Sequence, residues 1–289
     1  MSWSEFETTV PGKWVLAGEH AVLRGVTAIA LPHPEFRLNL KFKPGGDFVV
    51  TPASAAGVVG ELIQAVEDER REEGLSFAMP RGKLEILSTI PMGAGLGSSA
   101  ALCVAMTRWM AESLMMGKSQ YFEFATQLEH RFHGRSSGMD IAVTSAGEPI
   151  SFVTGRGEQG ARSLSVRKLP RFTFHDSGIR TRTSECIIRV ERFREDNPTM
   201  AMKVDEGMGL ASRLAMEGLV KYDAGSTADG LGLLARAMAQ AQECFYSWEL
   251  VPGEAKRIVD QVVRDGALAA KLTGAGGGGF VVAVWPDQR

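Results

Sequence analysis

The ten residues Pro91-Met-Gly-Ala-Gly-Leu-Gly-Ser-Ser-Ala100 constrain this chain more than any other stretch. They follow Lys83–Ser88, whose apolar/polar alternation predicts a strand, and they open a long apolar segment predicted to be helical from Ser98. Glycines at 93, 95 and 97 leave no Cβ between the backbone and a ligand. The first N–H groups of a helix have no internal partner, and the helix dipole favours negative charge there. Ser98 and Ser99 add hydroxyls at the same end. Together these features describe an anion cradle, most simply for phosphate. No Gly-Lys-Ser/Thr follows, so the spacing is not that of a Walker loop. A glycine turn with a serine N-cap is the plainer alternative, but three alternating glycines exceed what a cap needs.

A second cluster, Lys271-Leu-Thr-Gly-Ala-Gly-Gly-Gly-Gly-Phe280, lies between two apolar runs predicted to be strands. A run of glycine is costly in chain entropy, so it points to close backbone approach rather than to a linker. In a third, Glu129-His-Arg-Phe-His-Gly-Arg-Ser-Ser-Gly-Met-Asp140, two carboxylates flank a turn after a helix. One suits a divalent cation and the other a proton. His130 and His133, three apart, read as capping or surface groups before ligands. The fourth segment, Pro11 to Gly25, contains Lys13 and the turn Gly18-Glu19-His20-Ala21.

Elsewhere, strands are expected at Phe36–Phe42, Phe48–Thr51 (as the return of a hairpin), Pro149–Val153, Ser163–Lys168, Phe172–His175, Ala269–Leu272 and Gly279–Trp285. Helices are expected at Ala53–Glu73, Tyr121–His133, Val204–Tyr222, Ala228–Trp248 and Gly253–Asp265. Strands occur both in hairpins and beside helices, which favours an α+β class. A length of 289 residues predicts about two domains, and Pro170 marks the expected join: 1–169 and 170–289.

The formal charge of −2 provides no global field for polyanions, so no nucleic-acid partner is expected. Cys103, Cys186 and Cys244 are too few and too scattered for a disulfide scaffold or a zinc site, and they read as free thiols of a cytoplasmic protein. The first ten residues do not read as a signal peptide. The most apolar stretch, Ala100–Met116, carries Arg108 and Glu112, so it is expected to be a buried helix rather than a membrane span.

Taken together, the four segments resemble the GHMP kinase family. Pro91–Ala100 is similar to its Pro-x-x-x-Gly-Leu-Gly-Ser-Ser phosphate motif, and Lys271–Phe280 to its C-terminal glycine motif. Within the family, Gly18-Glu19-His20-Ala21-Val22 with Gly25, and Glu129, His133, Gly134, Ser137, Gly138 and Asp140, resemble the mevalonate kinases. His130 stands where an arginine is usual, and Ser136 where proline is common. The resemblance implies a two-domain GHMP kinase fold, with a ribosomal S5 domain 2-like N-terminal domain and a ferredoxin-like C-terminal domain. It also implies ATP and Mg²⁺, and phosphorylation of the 5-hydroxyl of mevalonate. Pro91, Gly93, Ala94, Gly95, Leu96, Gly97, Ser98 and Ser99 would cradle the nucleotide phosphates, and Ser98 (or Ser99) with Glu129 would hold the metal. Asp140 would orient or deprotonate the acceptor hydroxyl, with Lys13 beside it. Glu19, His20, Thr183, Gly274, Ala275 and Gly276 would lie at the acceptor.

Three other readings stay open: another kinase of the same fold, a related decarboxylase, and a silent nucleotide-binding relative. A phosphorylated acceptor would call for basic residues, which Arg24, Arg135, Arg180 and Arg182 could provide. A homodimer is also left open.

Overall fold

The computed structural model describes residues 3–133 and 137–287. The first unit is a six-stranded sheet backed by helices. Its elements are β1 (Phe6–Ala17), β2 (Ala28–Pro44), β3 (Val49–Thr51), α1 (Ala56–Glu72), β4 (Gly82–Ser88), α2 (Ser98–Ser113), α3 (Tyr121–His133), α4 (Met139–Ala146), β5 (Ile150–Phe152) and β6 (Ala161–Ser163). The second comprises β7 (Phe172–Asp176), α5 (Thr183–Asp196), α6 (Pro198–Asp223), α7 (Thr227–Ser247), α8 (Gly253–Arg264), β8 (Ala269–Thr273) and β9 (Phe280–Val284). Strand order is β3-β4-β2-β5-β6 with β1 on β2 in the first sheet, and β7-β9-β8 in the second.

The long strand β2 organises the first sheet. Leu38, Leu40 and Phe42 point into the core while Arg37, Asn39 and Lys41 do not, the period-2 pattern of a half-buried strand. That pattern is visible only over Phe36–Phe42, because Pro32-His33-Pro34 interrupts it, yet the strand begins at Ala28. β1 escaped sequence reading for the same reason: Pro11-Gly12 breaks its alternation. The structure places a register shift there, between Pro11 and Lys13. Such bulges redirect side chains near functional sites. The expected hairpin at Phe48–Thr51 is corrected: β3 pairs in parallel with β4, and β4, not β3, is the antiparallel neighbour of β2. Helix α1 intervenes between β3 and β4, which permits the parallel pairing.

Helix α2 is buried on most sides, as its composition requires: Ala100, Ala101, Cys103, Val104, Ala105 and Met106 are all at most 2% exposed. Among the described residues no helix is long and apolar enough to cross a membrane. Helix α5 was not anticipated, since only Cys186 and Val190 of its fourteen residues are buried and it carries little apolar period. Helix α6 begins at Pro198, where proline suits the first turn, rather than at Val204. The second unit sets three strands, β7-β9-β8, against the four helices α5 to α8.

The two sheets are joined through their cores. Trp14 of β1 packs edge-on against Phe172 and Phe174 of β7, with ring centroids 4.8 and 5.4 Å away. His33 lies against Phe36 and Phe174, both at 4.3 Å.

Candidate active site

The Pro91–Ala100 loop alternates inside and outside. Ala94 and Leu96 are 1% exposed, while Gly93, Gly95 and Gly97 face outward with φ of +67°, +76° and +77°. Two buried side chains therefore peg the loop down, and three left-handed glycines turn its backbone outward. This refines the expectation for Ala94 and Leu96: their side chains belong to the core, and only their backbone is available to a ligand. Ser98 and Ser99 open α2, and Pro91 and Met92 lead into the loop.

The second glycine segment lies directly on the first. A Cβ on Gly279 would sit 2.6 Å from the carbonyl oxygen of Ala94, and one on Gly274 would sit 2.9 Å from that of Gly95. Backbone meets backbone, so neither position tolerates a side chain. The two ends of the glycine run are thus explained by close approach to the Pro91–Ala100 loop, and its middle by contact with Phe245, Thr181 and Ile179, neighbours that no local pattern could reveal. Thr181 Oγ1 donates to the Gly277 carbonyl at 2.6 Å, and the Cys186 thiol donates to that of Gly276 at 3.3 Å. Thr183, Thr181, Gly93, Gly95, Ala275 and Gly276 line a small polar cleft between the two segments.

Lys13 enters from β1. The bulge at Pro11-Gly12 lets its N–H donate to the Leu96 carbonyl at 2.9 Å. Its side chain is 3% exposed and runs under Gly97, where an added Cβ would come within 2.8 Å of Lys13 Cγ. Its Nζ lies 3.0 Å from Asp140 Oδ2. Asp140 sits in the first turn of α4, after Gly138, whose φ of +82° closes the preceding turn. A carboxylate in a first helical turn is favoured by the free N–H groups there. Residues 127 apart in sequence thus form one ion pair beside the phosphate cradle.

Glu129 is 2% exposed on α3 and faces α2 closely enough that its charge, after burial itself, helps push the Cys103 thiol up. His130, on the same helix, is exposed. Of the other residues singled out beside it, Gly134, Arg135, Ser136 and the side chain of His133 lie outside the described residues.

Glu19 and His20, expected at the acceptor, are both buried, at 3% and 8% exposure. His20 holds φ +56° and donates from Nε2 to the Ala275 carbonyl at 2.8 Å, with its ring against Trp248. Glu19 is ion-paired with Lys271, which is wholly buried in β8. Lys271 also donates to the Val15 carbonyl at 3.2 Å, and Thr273 Oγ1 both accepts from Val15 N–H (2.8 Å) and donates to that carbonyl (3.0 Å). These contacts lace the end of β1 to β8. Lys271 opens the second glycine cluster, with no role expected for it from sequence. The available signal was a lone lysine in an otherwise apolar strand, which demands a buried partner.

Two of the four arginines considered for a phosphorylated acceptor are ion-paired with carboxylates. Arg24 makes a double hydrogen bond to Asp205 at 2.7 and 2.6 Å, and Arg194 joins the same carboxylate at 2.7 Å. Arg180 makes a double bond to Asp176 at 2.7 and 2.6 Å. Arg182 precedes α5 and is exposed.

The family model for the GHMP kinases N terminal domain matches residues 58–148, and the model for GHMP kinases C terminal matches residues 216–289. The chain belongs to the GHMP kinase family. The two matched spans contain the Pro91–Ala100 loop, Asp140 and the second glycine segment, so this GHMP kinase carries the parts that converge at the cleft. Kinases of this family take ATP as phosphate donor. Among full-length relatives, the chain is 29% identical to a mevalonate kinase of Archaeoglobus fulgidus, with 97% of this chain and 93% of that one covered. It is 27% identical to a mevalonate kinase of Aeropyrum pernix, with 96% and 88% covered. Its fold superposes on the L. major mevalonate kinase crystallised with R-mevalonate at a TM-score of 0.77, with 22% identity and 100% and 91% of the two chains covered.

Acid should destabilise this GHMP kinase through its buried histidines. Burial lowers both His20 and His33 from 6.5 to about 4. His33 Nδ1 accepts the N–H groups of Glu35 (3.2 Å) and Phe36 (3.1 Å), an arrangement that needs a neutral ring. Below pH 6.5 the unfolded chain takes up protons that the folded chain refuses. Stability is therefore full above pH 6.5 and falls as pH drops toward 4, by about 1.4 kcal/mol per pH unit for each histidine. Urea midpoints at pH 7 and pH 5 measure this, and His33→Gln should remove about half of the difference. Equal midpoints would mean that neither ring resists protonation.

Proposed function

We propose that this GHMP kinase transfers the γ-phosphoryl group of ATP to the 5-hydroxyl of mevalonate. The observation that carries the chemistry is the Lys13–Asp140 pair, 3.0 Å apart at the edge of the glycine cradle. A primary alcohol is a poor nucleophile, so a positioned carboxylate that accepts its proton is useful. Asp140 has that role in our reading. Lys13 holds the carboxylate in place and stabilises charge on the transferred group. Phosphoryl transfer needs positioning and charge neutralisation more than covalent help from the protein. The outward-facing backbone from Gly93 to Gly97 and the first N–H groups of α2, with Ser98 and Ser99, would hold the nucleotide phosphates. Thr183, Gly274, Ala275 and Gly276 would border the acceptor, with Glu19 and His20 supporting that wall from behind.

The donor set suits Mg²⁺. Among the described residues no three His, Cys, Asp or Glu side chains converge as a metal cage. A buried carboxylate, Glu129, and a serine hydroxyl at the start of α2 match an ion that takes one or two protein oxygens and completes its shell with phosphates and water. Glu129 and the serine would hold the ion, whose positive charge would offset that of the phosphates.

Mevalonate is preferred over a phosphorylated acceptor on two grounds: the full-length similarity to mevalonate kinases, and the engagement of Arg24 and Arg180 by Asp205 and Asp176. The division at Pro170, with 1–169 and 170–289 as separate domains, is supported by the change of sheet between β6 and β7. Three buried thiols are in keeping with a cytoplasmic enzyme.

A coupled assay of ADP release with Mg-ATP, run separately with mevalonate, phosphomevalonate, homoserine and galactose, tests this. The expected result is ADP only with mevalonate and a stable phosphate ester as product. Release of CO₂ would mean the decarboxylase instead, and release only with another acceptor would discard mevalonate. Silence with all four would overturn the kinase assignment for these acceptors.

A further inference from the structure

Two lysines and two carboxylates lie at the junction of the sheets, and how they pair decides where Lys13 points. Lys13 and Val15 are neighbours on β1; Lys271 reaches the Val15 carbonyl from β8. Glu19 follows the end of β1 and is nearly sealed from solvent, as are both lysines: 3%, 3% and 0% exposed for Glu19, Lys13 and Lys271. Burial raises the Glu19 carboxyl and lowers the Lys271 ammonium, each opposed chiefly by the other's charge, and Lys13 adds a smaller influence on both. Yet Lys13 is paired with Asp140, while Glu19 is taken by Lys271. The second oxygen of Glu19, Oε2, has no hydrogen-bond partner among the described residues, so this carboxylate has acceptor capacity to spare. Phe245 lies 5.3 Å from Lys271 Nζ, ring face toward the charge, and helps hold it in place.

We infer that Lys271 is a positioning residue for phosphoryl transfer: by occupying Glu19 it leaves Lys13 to Asp140. A buried carboxylate stripped of its cation is strongly unfavourable and recruits the nearest replacement. With Lys271 gone, Lys13 is the other buried lysine at this junction. Turning Lys13 toward Glu19 takes it from Asp140 and from beneath Gly97, which leaves the reacting carboxylate unsteadied. Lys271 therefore acts through Glu19 and Lys13, without touching either substrate. It also makes closure of β8 on β1 a condition for correct pairing, since the competing cation arrives from the second sheet.

This inference rests on the assignment of Lys13 and Asp140 as the reacting pair, and its test is arranged to fail separately. Steady-state kinetics are measured for the parent, Lys271→Met, and Glu19→Gln/Lys271→Met, using whichever acceptor the parent phosphorylates, with Tm recorded for each. We expect Lys271→Met to lower kcat ~10²-fold, the usual scale for a catalytic group displaced by about 1 Å. KM for ATP and acceptor should stay within about threefold. Removing the competing carboxylate in the double variant should recover at least about tenfold of kcat, because it abolishes the wrong pairing. A buried pair that matters only for stability would move Tm and leave the kcat of the folded enzyme alone. Wild-type kcat in folded Lys271→Met, or a double variant as slow as the single one, overturns the inference. Should Lys271→Met fail to fold, Lys271→Gln keeps a donor for Val15 and Glu19 but no charge, and it carries the same expectations. A parent active only with an acceptor other than mevalonate discards the substrate and leaves this test standing. A parent inert with every acceptor overturns both.

Discussion

Asp140→Asn should lower turnover at least ~10²-fold, the lower end of general-base effects, while ATP binding stays close to that of the parent. The amide is nearly isosteric, and it cannot accept the acceptor's proton at neutral pH. It also gives Lys13 a neutral partner in place of an ion, at a distance of 3.0 Å in the parent. Asp140 is half-buried beside the loop and contributes no atom to the glycine cradle, so nucleotide affinity has no reason to fall. Nucleotide titration by intrinsic fluorescence and single-turnover kinetics separate the two effects. A variant with near-parental turnover would show that Asp140 is not the base. A variant that no longer binds ATP would show that Asp140 shapes the nucleotide site instead.

Gly279→Ala should cost both stability and nucleotide affinity. The position has φ +75°, and the new Cβ would lie 2.6 Å from the Ala94 carbonyl oxygen. A left-handed conformation costs an alanine about 1–2 kcal/mol, and overpacking against backbone adds about 1–3 kcal/mol. A loss near 3 kcal/mol of stability follows, readable as a lower urea midpoint. The displaced atom belongs to the phosphate cradle, so KM for ATP should rise at least about tenfold with it, since moving the cradle by a few tenths of an ångström misaligns several N–H donors at once. Gly232→Ala is the matched control: it lies in α7 with open space around its Cβ direction, so it should be neutral or slightly stabilising. Equal behaviour of the two variants would mean that the glycine segments do not depend on each other's backbone.

These expectations draw unequally on sequence and structure. The phosphate cradle was legible because its information is local: a predicted strand, alternating glycines and a helix start fall within a few residues of one another. The helices α1, α7 and α8 were legible for the same reason, since an apolar period needs only its own segment to be seen. Where local pattern was broken by residues serving something else, reading failed. Pro11-Gly12 hides β1 and Pro32-His33-Pro34 hides half of β2, yet the first of these is the bulge that brings the Lys13 N–H to Leu96. Helix α5 failed because it buries only two side chains. The place of β3 beside β4 failed because a turn after β2 looks the same whether the next strand returns on it or passes over.

Local pattern alone establishes that a glycine loop precedes a buried helix, and which residue types stand near it. Lys13, Glu129 and Asp140 are candidates from their type and setting. Which of them meet is settled by the packing of the chain in three dimensions. Pairing Lys13 with Asp140, Glu19 with Lys271, and Gly279 with Ala94 joins residues more than a hundred positions apart. Charge and shape at such contacts are set by three-dimensional burial, where desolvation makes each buried ion choose one partner. A one-dimensional pattern contains the ions but not that choice. For Glu19 and His20 that choice supplies partners from the second sheet's side, Lys271 and the Ala275 carbonyl, and Lys271, a strand residue by pattern, becomes the group that leaves Lys13 to Asp140.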